Sequence, residues 1–467
     1  MLLKNKNVFK KAISYIRGLL QLIKIKMQND EIKKFTLESF PFWVASISAG
    51  LIAVLYSNLF HWVEVLQSKF DFERAWWIFI IAPVGFFVSW WLVHRFSPSA
   101  SGSGIPQLMA GIHYSGQKNG SKEVLKLLNV KVIFIKISSS VALLLGGGAI
   151  GREGPTIQIS GAIFNTVYRF VPDFWPKISQ RLMLISGGAA GLAAAFNTPL
   201  GGIVFAIEEL GKTHLNAMRT HLFTAVIIAG LTSQLFLGSY LYIGTPTVQE
   251  LKGWAIFYVI LAAVLSGFFG FVFSAILLRI VRWKKVLTST RKKALWAILM
   301  GLLFAILVYF TGNTTVGSGK TIMIDLLFSE NSASQWHTFP ARFLGSLISY
   351  VSGGAGGIFA PSLSIGASLG NTIVLLLDIP EFKNLIIITA MIGFMTGVTH
   401  SPFTSFILVL EMTNRHTSVF AMMLAAAIAI GVAKIFDRKS LYEHLLELYI
   451  TKNPTEEDKK QTNNLKK

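Results

Sequence analysis

The sequence predicts an all-α, polytopic membrane protein, and three observations lead to that class. Of the 467 residues, 52% are hydrophobic and only 14% are charged, whereas a soluble globular protein is about a quarter charged. Apolar stretches of about 20 residues, the length that crosses a bilayer as a helix, recur along the chain. Several stretches are broken by glycine and proline, and these breaks recur in the same order in both halves.

Both halves of the chain combine long predicted spans with short, broken helices. In the first half the predicted helices are Phe42–Leu66, Ala75–Phe96, Val132–Leu145, Gly154–Val171, Gln180–Phe196, Pro199–Leu210 and His221–Phe236. In the second half they are Trp254–Val281, Ala294–Thr311, Gly317–Leu327, Phe339–Val351, Ile358–Leu377, Leu385–Val398, Pro402–Thr413 and Ser418–Phe436, followed by a short helix, Leu441–Ile450.

The two halves align as a repeat. Gly188–Leu210 matches Met391–Thr413 without a gap, 203 positions later. Two further pairs keep the same order: Gly154–Ile159 with Ala360–Ile365, and Gly102–Gly104 with Gly317–Gly319. Short paired segments interrupted by glycine and proline are typical of transporter repeats, whose site lies where the broken helices meet. The sequence pattern leaves open whether the repeats are inverted.

Charge divides the chain into three predicted regions. Residues 1–40 form a basic cytoplasmic segment, 41–450 a membrane transport domain, and 451–467 a charged cytoplasmic tail. Within the transport domain the repeats cover about 41–236 and 254–436, and a cytoplasmic-side helix covers 441–450. Basic flanks place both termini in the cytoplasm. The lipid bilayer explains the net charge of +20, so no nucleic-acid partner is expected.

Glu153 is the strongest functional candidate. It lies in the segment Gly151–Pro155 (GREGP) between two apolar runs, and a charge at membrane depth costs at least about 2.5–3.5 kcal/mol. Pro155 suits the first turn of a helix, whose free N–H groups and positive dipole end attract anions. A charged Glu153 could occupy such a site and leave it when protonated. The alternative is a structural ion pair with Arg152.

Other helix starts are directed at an anion in the same way. Those after Ser103 and Phe359, and more weakly Ser318, offer neutral N–H donors, which hold a permeating ion without trapping it. Ser103 could add its hydroxyl or could simply be a small residue in a tight turn. Glu209 pairs with Met412 in the repeat register, so this unmatched carboxylate is the candidate for proton transfer. A structural role for it stays open.

Other chemistries receive little support from the sequence. The segment Gly317–Thr321 resembles part of a phosphate loop, but the first glycine of that motif would fall on Thr314. The histidines lack metal-ligand spacing, and the chain contains no cysteine. We therefore expect no metal and no cofactor. A membrane-embedded enzyme is the alternative of a different class, and it lacks a recognisable nucleophile–base pair.

Three loops resemble the signature sequences of the CLC family of chloride channels and chloride/proton antiporters. They are 102–106 (GSGIP), 151–155 (GREGP) and 356–361 (GGIFAP). Tyr442 is similar to the C-terminal tyrosine of the family, and the similarity runs from about residue 40 to 450. Lys136 falls where the family often has lysine. The usual acidic residues after the first signature are replaced by Gln107 and Met109, which alters the local charge balance.

The resemblance implies a CLC-like fold of two inverted repeats, with broken and short helices meeting at a central anion site. It also implies a homodimer with one pore per subunit. By it, Glu153 is the external gate and Glu209 the internal proton-transfer residue. The implied chloride-binding residues are Ser103, Ile358, Phe359, Tyr442, Gly154 and Arg152.

The expected function is exchange of chloride, or similar monovalent anions, for protons. Channels of the family usually carry an apolar residue where this chain has Glu209, which favours an exchanger over the alternative, a passive voltage- or pH-gated chloride channel. Only a short tail follows Ile450, so the regulatory nucleotide-binding domains of many eukaryotic members are not expected. That favours a prokaryotic protein of the inner membrane.

Overall fold

The computed structural model describes residues 30–117, 120–211, 219–238, 241–329, 336–414 and 416–450, and these ranges are predominantly helical. Residues 1–29 of the predicted basic segment and the predicted tail 451–467 lie outside the described residues. The boundary predicted at residue 40 falls inside the first helix, which runs from Asp30 to Ser68. Hydropathy marks only the apolar part of a helix, so the sequence pattern missed its polar first turns.

The described helices follow the predicted order. The first half contains α1 (Asp30–Ser68), α2 (Ile78–Phe96), α3 (Ile105–Ser115), α4 (Ser121–Leu127), α5 (Val130–Leu145), α6 (Glu153–Phe170), α7 (Gln180–Phe196), α8 (Pro199–Phe205) and α9 (Arg219–Leu237). The second contains α10 (Ala255–Lys284), α11 (Thr290–Thr311), α12 (Lys320–Phe328), α13 (Thr338–Val351), α14 (Phe359–Leu377), α15 (Lys383–Thr399), α16 (Pro402–Thr413), α17 (Val419–Phe436) and α18 (Leu441–Ile450). A π-helical turn, Ala206–Leu210, extends α8.

Nine helical segments among the described residues are long and apolar enough to cross a membrane. The shorter helices begin at breaks that the residues impose. The segment predicted from Gly317 becomes helical only at Lys320, because Gly317 and Gly319 have φ angles of 72° and 86°, in the left-handed region that favours glycine. Short α4 was not predicted, since seven residues carry little periodicity.

Helix packing follows the repeat. In the first half α1 packs on α9 and α6 on α7; in the second α10 packs on α17 and α14 on α15. α7 and its counterpart α15 form the centre, where Leu182–Phe196 and Leu385–Thr399 are buried throughout. Small residues allow this closeness: a β-carbon on Gly191 would lie 3.0 Å from the Thr156 carbonyl oxygen.

Candidate functional site

The starts of α3, α6 and α14 meet in the buried interior. Backbone hydrogen bonds join the loops that precede them. The Gly102 amide donates to the Gly354 carbonyl at 2.8 Å, and the Gly356 amide donates to Gly102 at 3.1 Å. Gly151 and Gly357 exchange N–H···O bonds of 2.9 and 2.7 Å. The three signature loops, far apart in sequence, thus form one unit with their helix N-termini around it.

This unit requires glycine at its closest approaches. A β-carbon on Gly154 would lie 2.3 Å from the Ser103 hydroxyl oxygen, and one on Gly357 would lie 3.0 Å from the Gly154 nitrogen. A side chain at either position would force the Ser103 side chain or the facing backbone to shift. Gly154 therefore brings the start of α6 directly against Ser103.

Ser103 and Tyr442 supply two buried hydroxyls at this meeting point. Their side chains face each other, and the residues are 1% and 0% exposed. Beyond this mutual contact, neither hydroxyl has a hydrogen-bond partner among the described residues, an arrangement that is rare for buried polar atoms. The Tyr442 ring packs edge-on against Phe359, with 5.9 Å between centroids. Ile358 and Phe359 open α14, and the first N–H groups of a helix lack intrahelical partners.

Glu153 is fully buried at the start of α6. Its Oε1 accepts a hydrogen bond from the Tyr242 hydroxyl at 3.3 Å, while Oε2 has no partner among the described residues. Arg152 donates to the carbonyl oxygen of Ser57 at 3.1 Å and to its hydroxyl. Each member of the suggested ion pair thus also contacts another residue, and the Arg152 charge still acts on Glu153. Sequence reasoning did not single out Tyr242.

A cavity of about 370 Å³ opens beside Glu153. Charged side chains line it, among them Glu64, Arg152 and Lys320. The amide and the hydroxyl of Ser318 donate to the Glu64 carboxylate. The loop before the fourth helix start therefore donates to a carboxylate of the chain itself.

The two adjacent glutamates of the α8 extension point to different partners. Glu209 is 5% exposed, and its Oε2 accepts a hydrogen bond from the Ser401 hydroxyl at 2.9 Å. Glu208 accepts from the amides of Phe403 at 3.1 Å and Thr404 at 2.7 Å. The carboxylate of Glu208 is thus engaged with the first turn of α16, whereas that of Glu209 lies in the interior.

Two buried cations support the loops. Lys136 donates to the carbonyl oxygens of Ala100, Ser101 and Gly102 at 3.0, 3.4 and 2.7 Å. Arg342, 206 positions later, donates from Nη1 to those of Thr315, Val316 and Gly317 at 2.9, 3.2 and 3.2 Å. Sequence reasoning missed Arg342, although the repeat offset of 206 would have found it. Gln107 also donates to the first loop, at the Ser99 and Ser101 carbonyls.

The family model described as voltage gated chloride channel matches residues 84–434, which is most of the chain. The chain belongs to this family. The predicted all-α, multi-pass CLC fold is confirmed.

Similar proteins extend the match beyond those residues. A Vibrio vulnificus (strain YJ016) protein named H(+)/Cl(-) exchange transporter ClcA is 29% identical over 92% of this chain and 94% of its own. A Klebsiella pneumoniae protein of the same name is 28% identical, with 89% of each chain covered. The solved structure of a slow cyanobacterial Cl−/H+ antiporter shares 26% identity at a TM-score of 0.73, covering 89% and 99% of the chains. These relatives are transporters, in agreement with the expectation of a transporter rather than an enzyme.

Proposed function

We propose that this protein exchanges chloride, and similar monovalent anions, for protons across a membrane. The observation that carries the proposal is the pair of buried hydroxyls on Ser103 and Tyr442, which face each other and have no further hydrogen-bond partner in the part of the chain that the structure describes. Two carboxylates, Glu153 and Glu209, lie within electrostatic reach of Tyr442. An anion site between two buried proton acceptors has the parts that coupled exchange needs.

We assign chloride binding to the hydroxyls of Ser103 and Tyr442 and to the amides of Ile358 and Phe359. These groups are neutral, so they stabilise an anion by hydrogen bonding and by the dipole of α14 without holding it as an ion pair. Gly154 contributes because it has no side chain, which lets the start of α6 lie directly against Ser103. Arg152 lines the cavity beside Glu153, where its charge would attract anions towards the entrance.

Proton coupling follows from competition between like charges. A charged Glu153 beside the anion site excludes a second negative charge, whereas a protonated Glu153 is free to move away. Glu209, the second buried carboxylate, exchanges protons with the cytoplasm. A passive channel needs the first carboxylate only. The second buried carboxylate, and relatives named exchange transporters, favour the exchanger.

Proton movement in sealed liposomes, driven by a chloride gradient alone, tests the proposal. An exchanger moves protons uphill in this assay and stops when chloride is equal on both sides. Chloride flux without proton movement would identify a channel, and cation flux without chloride flux would exclude both.

The family resemblance and the basic flanks of the chain also lead to a proposal about assembly and location. We propose a homodimer in a prokaryotic inner membrane, with both termini in the cytoplasm and no cofactor. Leu200 and Phe403, on the short helices α8 and α16, are apolar and 56% and 57% exposed, and we assign them to the partner surface. Cross-linking of membranes through single cysteines placed at these two positions, in a chain that has none, tests the dimer.

A further inference from the structure

Tyr242 lies outside the three signature loops, yet its hydroxyl contacts the carboxylate of Glu153, the proposed gate. It is 3% exposed and donates to Oε1 of Glu153 at 3.3 Å. The two residues are 89 positions apart and both line the cavity of about 370 Å³. The hydroxyl therefore reaches Glu153 from the side of the cavity.

Several contacts fix the Tyr242 ring. It packs edge-on against Phe196, with 5.1 Å between centroids, and the Lys320 ammonium lies 4.7 Å from its centroid on the face of the ring. The next two residues, Ile243 and Gly244, both donate backbone hydrogen bonds to the Met412 carbonyl, at 3.3 and 3.4 Å. These contacts hold the ring, and with it the hydroxyl, in place.

Glu153 is held asymmetrically. Oε1 takes the hydrogen bond from Tyr242, whereas Oε2 is buried beside Gly151, where a β-carbon on that glycine would lie. A hydroxyl that donates to a carboxylate stabilises the charged form and its position.

We propose that Tyr242 is a positioning residue that latches charged Glu153 in its blocking position. The latch rests on the proposed function of Glu153 as the gate. Glu153 is released when its carboxylate is protonated or when the hydrogen bond from the Tyr242 hydroxyl is lost. Arg152, Glu64 and Lys320 line the same cavity, and their charges also act on Glu153. Against this fixed background, the strength of the latch shifts the pH at which the gate opens and the rate of exchange at neutral pH.

Tyr242→Phe tests the latch, because it removes the hydroxyl and keeps the ring that packs on Phe196 and Lys320. In liposomes we expect exchange at neutral pH to become about 3- to 10-fold faster, and the midpoint of its pH profile to move upward by about 0.5–1 unit. Tyr242→Met, a second variant without the hydroxyl, should shift the profile in the same direction. Tyr309→Phe, on α11, is the matched control and should behave as the unmodified protein.

A Glu153→Ala background separates a latch from a general structural effect. There Tyr242→Phe should change neither rate nor pH profile, since no carboxylate is left to hold. An unchanged profile in Tyr242→Phe, or an equal change in the Glu153→Ala background, would overturn the latch. If Glu153→Ala itself keeps the pH dependence of the unmodified protein, the gate assignment fails rather than the latch alone.

Discussion

Glu208 and Glu411 cap each other's helices. Glu208, at the end of the α8 extension, accepts hydrogen bonds from two amides in the first turn of α16. Glu411, near the end of α16, accepts from the amides of Leu200 at 3.0 Å and Gly201 at 2.7 Å, in the first turn of α8. The contact is reciprocal, as a two-fold relation between the repeats requires, and each carboxylate satisfies N–H groups that a helix start leaves free.

Removing either cap should lower stability without removing transport. For Glu208→Gln and Glu411→Gln we expect a loss of about 1–3 kcal/mol each, because a charge-assisted cap becomes a neutral one. Thermal unfolding of the purified protein in detergent measures this loss of stability. Glu381→Gln, at an exposed position, is the control. Similar unfolding temperatures for all three variants would contradict the capping role.

Glu153→Gln should leave anion movement intact or faster and remove its dependence on pH. The amide cannot carry the charge that competes with chloride for the site. Chloride efflux from liposomes between about pH 5 and 8 measures this, with Glu208→Gln as a control that keeps the gate. Pronounced pH dependence in Glu153→Gln would favour the structural alternative for this glutamate.

Glu209→Gln should abolish proton movement and retain chloride flux. The amide keeps its hydrogen bond with Ser401 but cannot take up and release a proton. Simultaneous recording of chloride and pH outside liposomes separates the two fluxes. The adjacent Glu208→Gln is the control and should stay coupled. Retained uphill proton transport in Glu209→Gln would assign the proton route to other groups.

Tyr442→Phe should weaken chloride binding about fivefold, since one neutral hydrogen bond contributes about 1 kcal/mol. The ring still packs on Phe359, so the fold is preserved. Calorimetric titration with chloride measures the affinity. Tyr442→Ala should also weaken binding or coupling without unfolding the protein; if it only abolishes expression, Tyr442 is structural.

Gly154→Ala should disrupt the anion site more severely than the loss of either hydroxyl. Its β-carbon would lie 2.3 Å from the Ser103 hydroxyl oxygen, so Ser103 or the start of α6 must move. We expect chloride binding to fall below detection. Gly431→Ala is the matched control, because a β-carbon there meets nothing within 4 Å. Normal affinity in Gly154→Ala would show that the loops adapt.

Much of the fold could be predicted from residue patterns because the patterns act locally. Apolar length predicts spans, and proline or glycine marks where helices begin, as at Pro199 and Pro402, the first residues of α8 and α16. The boundaries of α7 and α16 match the predictions in full. The beginning of α1 was missed because hydropathy carries no signal for a polar helical turn.

The amino-acid sequence by itself determined which segments break, which residues carry charge at membrane depth, and that the halves form a repeat. Only the tertiary structure decided that Tyr242 meets Glu153 and that Glu208 meets the start of α16. The meeting of Tyr442 with Ser103 was expected from the family resemblance, and no local pattern of residues predicted it. The physical reason is the distance along the chain over which each kind of preference acts. Backbone preferences and apolar periodicity act over a few residues, whereas these contacts depend on how whole helices pack, and a single side chain carries no local trace of a partner that far along the chain.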